Sequence, residues 1–384
     1  MQTQKGYFLS QPHQPFFTLG IVNAIIMMLV FLLSIKGVFT LTIDPFSFHA
    51  YSLIFTVFTP FFLGFLLTTF PRFSQTQAID KQIYLTAFTL ILVGALLFLL
   101  GSFVSIMIAI LGAFILFLAQ LYTAHIFYTI YKNSPSKDKH DQFWILTAWL
   151  EGIAANILFI GYFLDILPMT PLTIGVGIYL YLMLLALSVG QRMIPFFSHV
   201  MIERNKTLLK TMFILFHLKV LFDLFDLKIG FIFLLIAGAI MMKEVLRWKL
   251  PYKQADAILW ILHLAIFWLP TALIIGGFSE LSGLVFDKSF LALSVHLVAL
   301  GFLTTIMIGF GTRVTIGHSG NQMKIDKVTK VLFYLTQIVV YFRALYSFSG
   351  SSLLFDITAS LWMVLFIAWA VKYLPVLISG KKLS

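Results

Sequence analysis

The chain has 384 residues, of which 60% are hydrophobic and only 11% charged, with a mean hydropathy of +0.99. That composition excludes a soluble domain, and the lack of cysteine excludes disulfides, thiolate-held metals, iron–sulfur clusters and covalently attached c-type haem. The net charge of +11 raises a nucleic-acid partner, which the distribution of the charge then removes.

An apolar run of about 18 residues or more can cross roughly 30 Å of hydrocarbon as a helix. The polar start, MQTQKGYFLSQPHQ, lacks a small-residue cleavage site, so the first apolar run is expected to persist in the mature protein. The predicted spans are 15–40, 47–71, 83–101, 103–131, 142–165, 171–195, 207–226, 228–247, 256–278, 289–311, 326–347 and 352–374. They predict an all-α polytopic membrane protein of about twelve helices, forming one transmembrane bundle domain over 1–384. The tails and even-numbered loops, with the nearby helix ends, hold 21 of the 26 Lys and Arg. The positive-inside rule therefore places both termini in the cytoplasm. Topology accounts for the basic balance, so the expected partner is the lipid bilayer and no nucleic acid. Seven Trp and fourteen Tyr suit interfacial belts. The loops are short, which puts the function inside the bundle.

Depth sorts the nine histidines. The second span begins "FSFHAYSLIF", so His49 lies near the outer surface. The tenth span runs in the same direction and carries His296 about two turns below its outer end. Two imidazoles at that level on different helices suit the axial positions of a haem iron. On a regular helix Ala299, Leu300 and Leu303 share the face of His296, and Ser52 and Thr56 follow His49 at helical spacing. The competing reading is that each ring hydrogen-bonds a neighbouring carbonyl or hydroxyl. On the cytoplasmic side, His13, His263 and His318 gather with Arg72, Arg192 and Arg313 at inner helix ends. That group could hold an anion, a quinone head or a metal; lipid-facing snorkelling is the alternative for the arginines. Pro195 is expected to end a helix, and Gly317 and Gly320 to bracket His318 in a tight turn. A transporter or channel is a reading from a different class, with His217, Lys219, Asp223 and Asp226 as its proton-path candidates.

Several stretches resemble the NnrS family of membrane proteins. "HQPFFTLG" (13–20) resembles its amino-terminal signature, and "FHAYSLIFTVFTPFFLGFLLTTFPRF" (48–73) its second-helix motif. "GQRMIPFF" (190–197), "LHLAIFWLP" (262–270) and "HLVALGFLTTIMIGFGTRVTIGHSG" (296–320) resemble its later segments, in the expected order. The resemblance implies a twelve-span bacterial inner-membrane protein containing haem b and copper, tied to nitric oxide metabolism and nitrosative stress. Its signature histidines fall on His49, His263, His296 and His318. The family's second-helix His-Ala-His-Glu becomes His49-Ala50-Tyr51-Ser52 here; if the missing His or Glu serves copper, this chain lacks that site. A weaker architectural resemblance links the chain to the main subunits of haem–copper oxidases and nitric oxide reductases. These hold a low-spin haem between histidines on helices two and ten, but their copper motif and His-His pair are missing here. The expected reading is a haem protein of the nitric oxide response, with nitric oxide and a quinone as ligands and the oligomeric state left open.

Overall fold

The computed structural model describes residues 6–168, 171–288 and 290–383. Among them the regular structure is entirely helical. Twelve long helices follow one another: α1 (His13–Ile35), α2 (Pro45–Phe73), α3 (Lys81–Val104), α4 (Ile106–Asn133), α5 (His140–Phe163), α6 (Leu172–Phe197), α7 (Leu208–Leu224), α8 (Phe231–Arg247), α9 (Ala257–Phe286), α10 (Leu293–His318), α11 (Lys327–Ser349) and α12 (Ser352–Ser379). Ten of these are long and apolar enough to cross a membrane. The other two, α7 and α8, have 17 residues each, about 26 Å at the helical rise. Where the sequence reading counts twelve spans, ten helices have spanning length and two are shorter.

The helices group into two compact units. The first takes residues 1–169, Gly311–Met323 and 366–384; the second takes residues 170–310 and Lys324–Leu365. In the first unit α3 and α4 form a tight antiparallel pair. A Cβ on Gly101 would fall on the backbone of Ala109, and one on Gly112 on the backbone of Phe98. Small residues at such positions let two membrane helices approach backbone to backbone.

A further order runs along the chain. In each successive group of four helices the second member, α2, α6 and α10, is the most enclosed. Each of these three contains a π-helical stretch, Ser52–Phe58, Val176–Met183 and Leu297–Thr304, starting at intervals of 124 and 121 residues. In α2 the cause is visible. Pro60 has no N–H, so the carbonyl of Thr56 loses its helical donor. Asn23 on α1 supplies the missing bond from Nδ2, at 2.8 Å. The hydroxyls of Thr56 and Thr59 donate to the carbonyls of Ser52 and Ile54, each at 2.8 Å. In α10, Thr304 and Thr305 donate to Ala299 and Leu300, five residues back. π-turns inside α-helices frequently mark functional positions.

Candidate functional site

In the second unit His296 closes the first turn of α10, immediately before the π stretch. The two residues ahead of that turn, Leu291 and Ala292, have positive φ of 41° and 57°. Neither is glycine, so each costs on the order of 1 kcal/mol and must be held by its surroundings. The ring supplies part of that hold: His296 Nδ1 lies 3.0 Å from the carbonyl of Ala292. The same Nδ1 is 2.9 Å from Arg343 Nη2 on α11, which also donates to the carbonyl of Leu291 at 2.7 Å. Arg343 was not among the residues singled out in the sequence. Its signal was there: a lone arginine in the apolar run "VVYFRALYSF", outside the basic loops.

In the first unit His49 sits on α2 three residues before the π stretch. Its ring stacks on Phe31 of α1, centroids 4.3 Å apart at 25°. The helical faces drawn around the two histidines need correction. The π hydrogen bonds of Ser52–Phe58 and Leu297–Thr304 break the 3.6-residue spacing on which Ala299, Leu300, Leu303, Ser52 and Thr56 were placed. Ser52 Oγ instead donates to the carbonyl of His49 at 3.2 Å. Tyr51 turns to the other side. It is fully buried among Phe55, Phe98, Phe159 and Phe163 and donates to Asn156 Oδ1 at 3.1 Å. Asn156 Nδ2 passes the chain on to Gln120 Oε1 at 2.7 Å.

At the opposite end of the first unit, two predicted residues meet. The rings of His13 and His318 lie 5.0 Å apart, and His318 Nδ1 is 2.8 Å from Gln11 Oε1. His13 is 1% exposed; its backbone N–H donates to Thr68 Oγ1 at 3.1 Å. Its Nδ1 is buried without a hydrogen-bond partner among the described residues. The expected turn around His318 is displaced. Helix α10 runs through Gly317 to His318, and the left-handed residue is Gly320, φ 68°. Lys382 Nζ donates to the carbonyls of Ser319 and Gly320 just beyond, so both tails of this unit meet the end of α10. Arg313, in the same unit, is half-buried on α10.

His263 and Arg192 belong to the second unit. His263 is buried, with Nε2 2.7 Å from Ser198 Oγ. Arg192 is half-buried near the end of α6, which does not stop at Pro195 but continues to Phe197. The proton-path candidates are engaged locally. Lys219 Nζ pairs with Asp223 and, at 3.0 Å, with Glu280 Oε2, while His217 Nδ1 lies 2.9 Å from the carbonyl of Phe213. Asp226 sits past the end of α7 with φ 51°. A cavity of about 340 Å³ between the starts of α9 and α11, lined by Lys253, Trp260, Lys330 and Tyr334, contains none of the predicted site residues.

Compared with known proteins, the chain matches one family model over residues 7–381, described as NnrS protein. No curated protein matches it.

Proposed function

Since the chain belongs to the NnrS family, and so is a membrane protein associated with the nitric oxide response, we propose that it acts there as a b-type haem protein, with His49 of the first unit and His296 of the second as the candidate iron-binding imidazoles. The observation that carries the reading is the orientation of His296. If the proton on Nδ1 is donated to the carbonyl of Ala292, 3.0 Å away, Nε2 would carry the lone pair that an iron takes. Metal-ligating histidines are oriented in this way by a backbone acceptor on their second nitrogen. His49 contributes a ring fixed by stacking on Phe31. Haem would supply a redox-active iron able to take nitric oxide. His49 and His296 would each offer an imidazole to such an iron, whose chemistry would be nitric oxide binding or electron transfer.

Copper does not fit this segment. Tyr51 and Ser52 stand where the family's His and Glu were expected, and both are committed elsewhere, to Asn156 and to the carbonyl of His49. The inner pair, His13 and His318, supports a second role as the place where a quinone head would dock, because among the described residues the buried His13 Nδ1 has no hydrogen-bond partner. The cytoplasmic membrane of a bacterium is the setting this reading requires.

The test is an optical spectrum of detergent-purified protein. A Soret band is expected, and His49→Ala and His296→Ala should each change its position or intensity. A colourless protein would overturn the haem reading, and an unchanged spectrum in either variant would remove that ligand. Quinol-driven reduction of the iron that is lost in His13→Ala would support the inner site; full reduction in that variant would dismiss it.

A further inference from the structure

Arg343 is 8% exposed, on a helix long and apolar enough to cross a membrane. A cation there is costly unless an opposite charge meets it. The second unit shows what such compensation looks like, because Lys219 has both Asp223 and Glu280 against it. Arg343 has a different company. Nη2 donates to the carbonyl of Leu291 and to His296 Nδ1, Nη1 donates to Ser347 Oγ, and the guanidinium lies 5.0 Å from the centre of the Tyr346 ring. Every one of these partners is neutral. Among the described residues three of its five N–H bonds are so engaged, which leaves two for another acceptor.

His296 Nδ1 faces two neighbours with opposite demands. The carbonyl of Ala292 requires a proton on Nδ1, whereas Arg343, which can only donate, requires a lone pair there. When Arg343 is the partner the proton sits on Nε2, and that nitrogen cannot bind a metal. When Ala292 is the partner Nε2 keeps its lone pair. The backbone of the strained pair Leu291–Ala292 ties these alternatives together, since Arg343 holds the first carbonyl and His296 the second.

We propose that Arg343 is the carboxylate-binding residue of the His296 site, and that capture of a ligand carboxylate turns His296 into its metal-binding tautomer. The carboxylate draws the guanidinium off Nδ1. A proton is then lost from Nε2 and one is taken up at Nδ1, so the ring stays neutral, and Nδ1–H bonds the carbonyl of Ala292. The inference rests on the haem reading, because a b-type haem brings two propionate carboxylates. A bidentate pairing of guanidinium with carboxylate is among the stronger hydrogen-bonded contacts available.

The experiment titrates the full-length, haem-free protein in detergent with haem and, separately, with haem whose propionates are methyl esters. The wild type is expected to bind haem at least about tenfold more tightly than the diester, the value of one charge-assisted contact. Arg343→Met should lose that preference while binding the diester as well as the wild type or better, because Nδ1 is no longer occupied. Arg343→Lys should keep part of the preference. Equal binding of haem and diester by the wild type overturns the proposal and leaves the haem reading standing; so does a preference that survives in Arg343→Met. The wild-type comparison decides the matter even if Arg343→Met does not fold. A wild type that binds neither porphyrin removes both the haem reading and this inference.

Discussion

Lys219 carries a charge into the interior of the second unit, its side chain 4% exposed against 24% for Asp223 and 32% for Glu280. Removing one member of such a group leaves the others as neighbouring like charges, which costs more than the pair itself contributes. Because both acids retain some contact with their surroundings, we expect Lys219→Met to lower stability by about 2 kcal/mol, less than for a fully enclosed pair. A fall in the unfolding temperature in detergent checks this, and Lys219→Met combined with Glu280→Gln should recover part of the loss. An unchanged melting point in the single variant would show that the group contributes nothing. The need of Lys219 for a polar partner was legible in the sequence, and Asp223 sits one turn along the same helix. Glu280 was not legible, since 61 positions separate it from Lys219 and nothing in local spacing joins α7 to α9. Arg343 beside His296 was missed for the same reason. Single-residue chemistry can be read from a chain, but the company a side chain keeps across helices cannot.

Helix boundaries were largely legible because hydropathy reports length and apolarity directly, whereas the three π stretches left no mark in it. In α2 the trigger, Pro60, is plain in the sequence, but the donor that repairs the damage comes from α1. Asn23→Ala should therefore leave the carbonyl of Thr56 buried and unpaired, at a cost of about 1–3 kcal/mol. Adding Pro60→Ala restores an N–H one turn along and should rescue much of the loss. If the double variant is no more stable than Asn23→Ala alone, the carbonyl of Thr56 is not what Asn23 serves. Glycines offer a second contrast between elements. Gly112→Ala would press a methyl group into the backbone of Phe98 and should cost about 1–3 kcal/mol or prevent the α3–α4 pair from closing. Gly190→Ala on α6 should be tolerated, because its nearest neighbour would be Ile306 Cδ1 at 3.6 Å, an ordinary contact. Thermal stability of the two purified variants separates them, and equal behaviour would refute the packing argument.

A π-containing, enclosed second helix recurs along the chain in α1–α4, α5–α8 and α9–α12. Four helices form an even number, so if all cross the membrane each group starts from the same side. An inverted repeat of the kind common in secondary transporters would reverse direction instead. This regularity bears on the one point where sequence and structure count differently. At 17 residues, α7 and α8 stand at the lower limit for a crossing, about 26 Å against a hydrocarbon layer of about 30 Å. Their counterparts in the other groups, α3 with α4 and α11 with α12, are of full spanning length. A short hydrophobic stretch can still cross if the bilayer thins locally. The charged residues near the end of α7 then have a reason to be there, with Asp223, Asp226 and Lys228 meeting the outer headgroups. The chain has no cysteine, so single introduced thiols can be labelled without background. In right-side-out vesicles, Lys228→Cys should react with a membrane-impermeant maleimide, while Lys381→Cys should react only after permeabilisation. Protection of Lys228→Cys would mean that α7 and α8 dip in and return, leaving ten crossings with both termini still on one side. Labelling of Lys381→Cys from outside would instead overturn the orientation drawn from the basic loops.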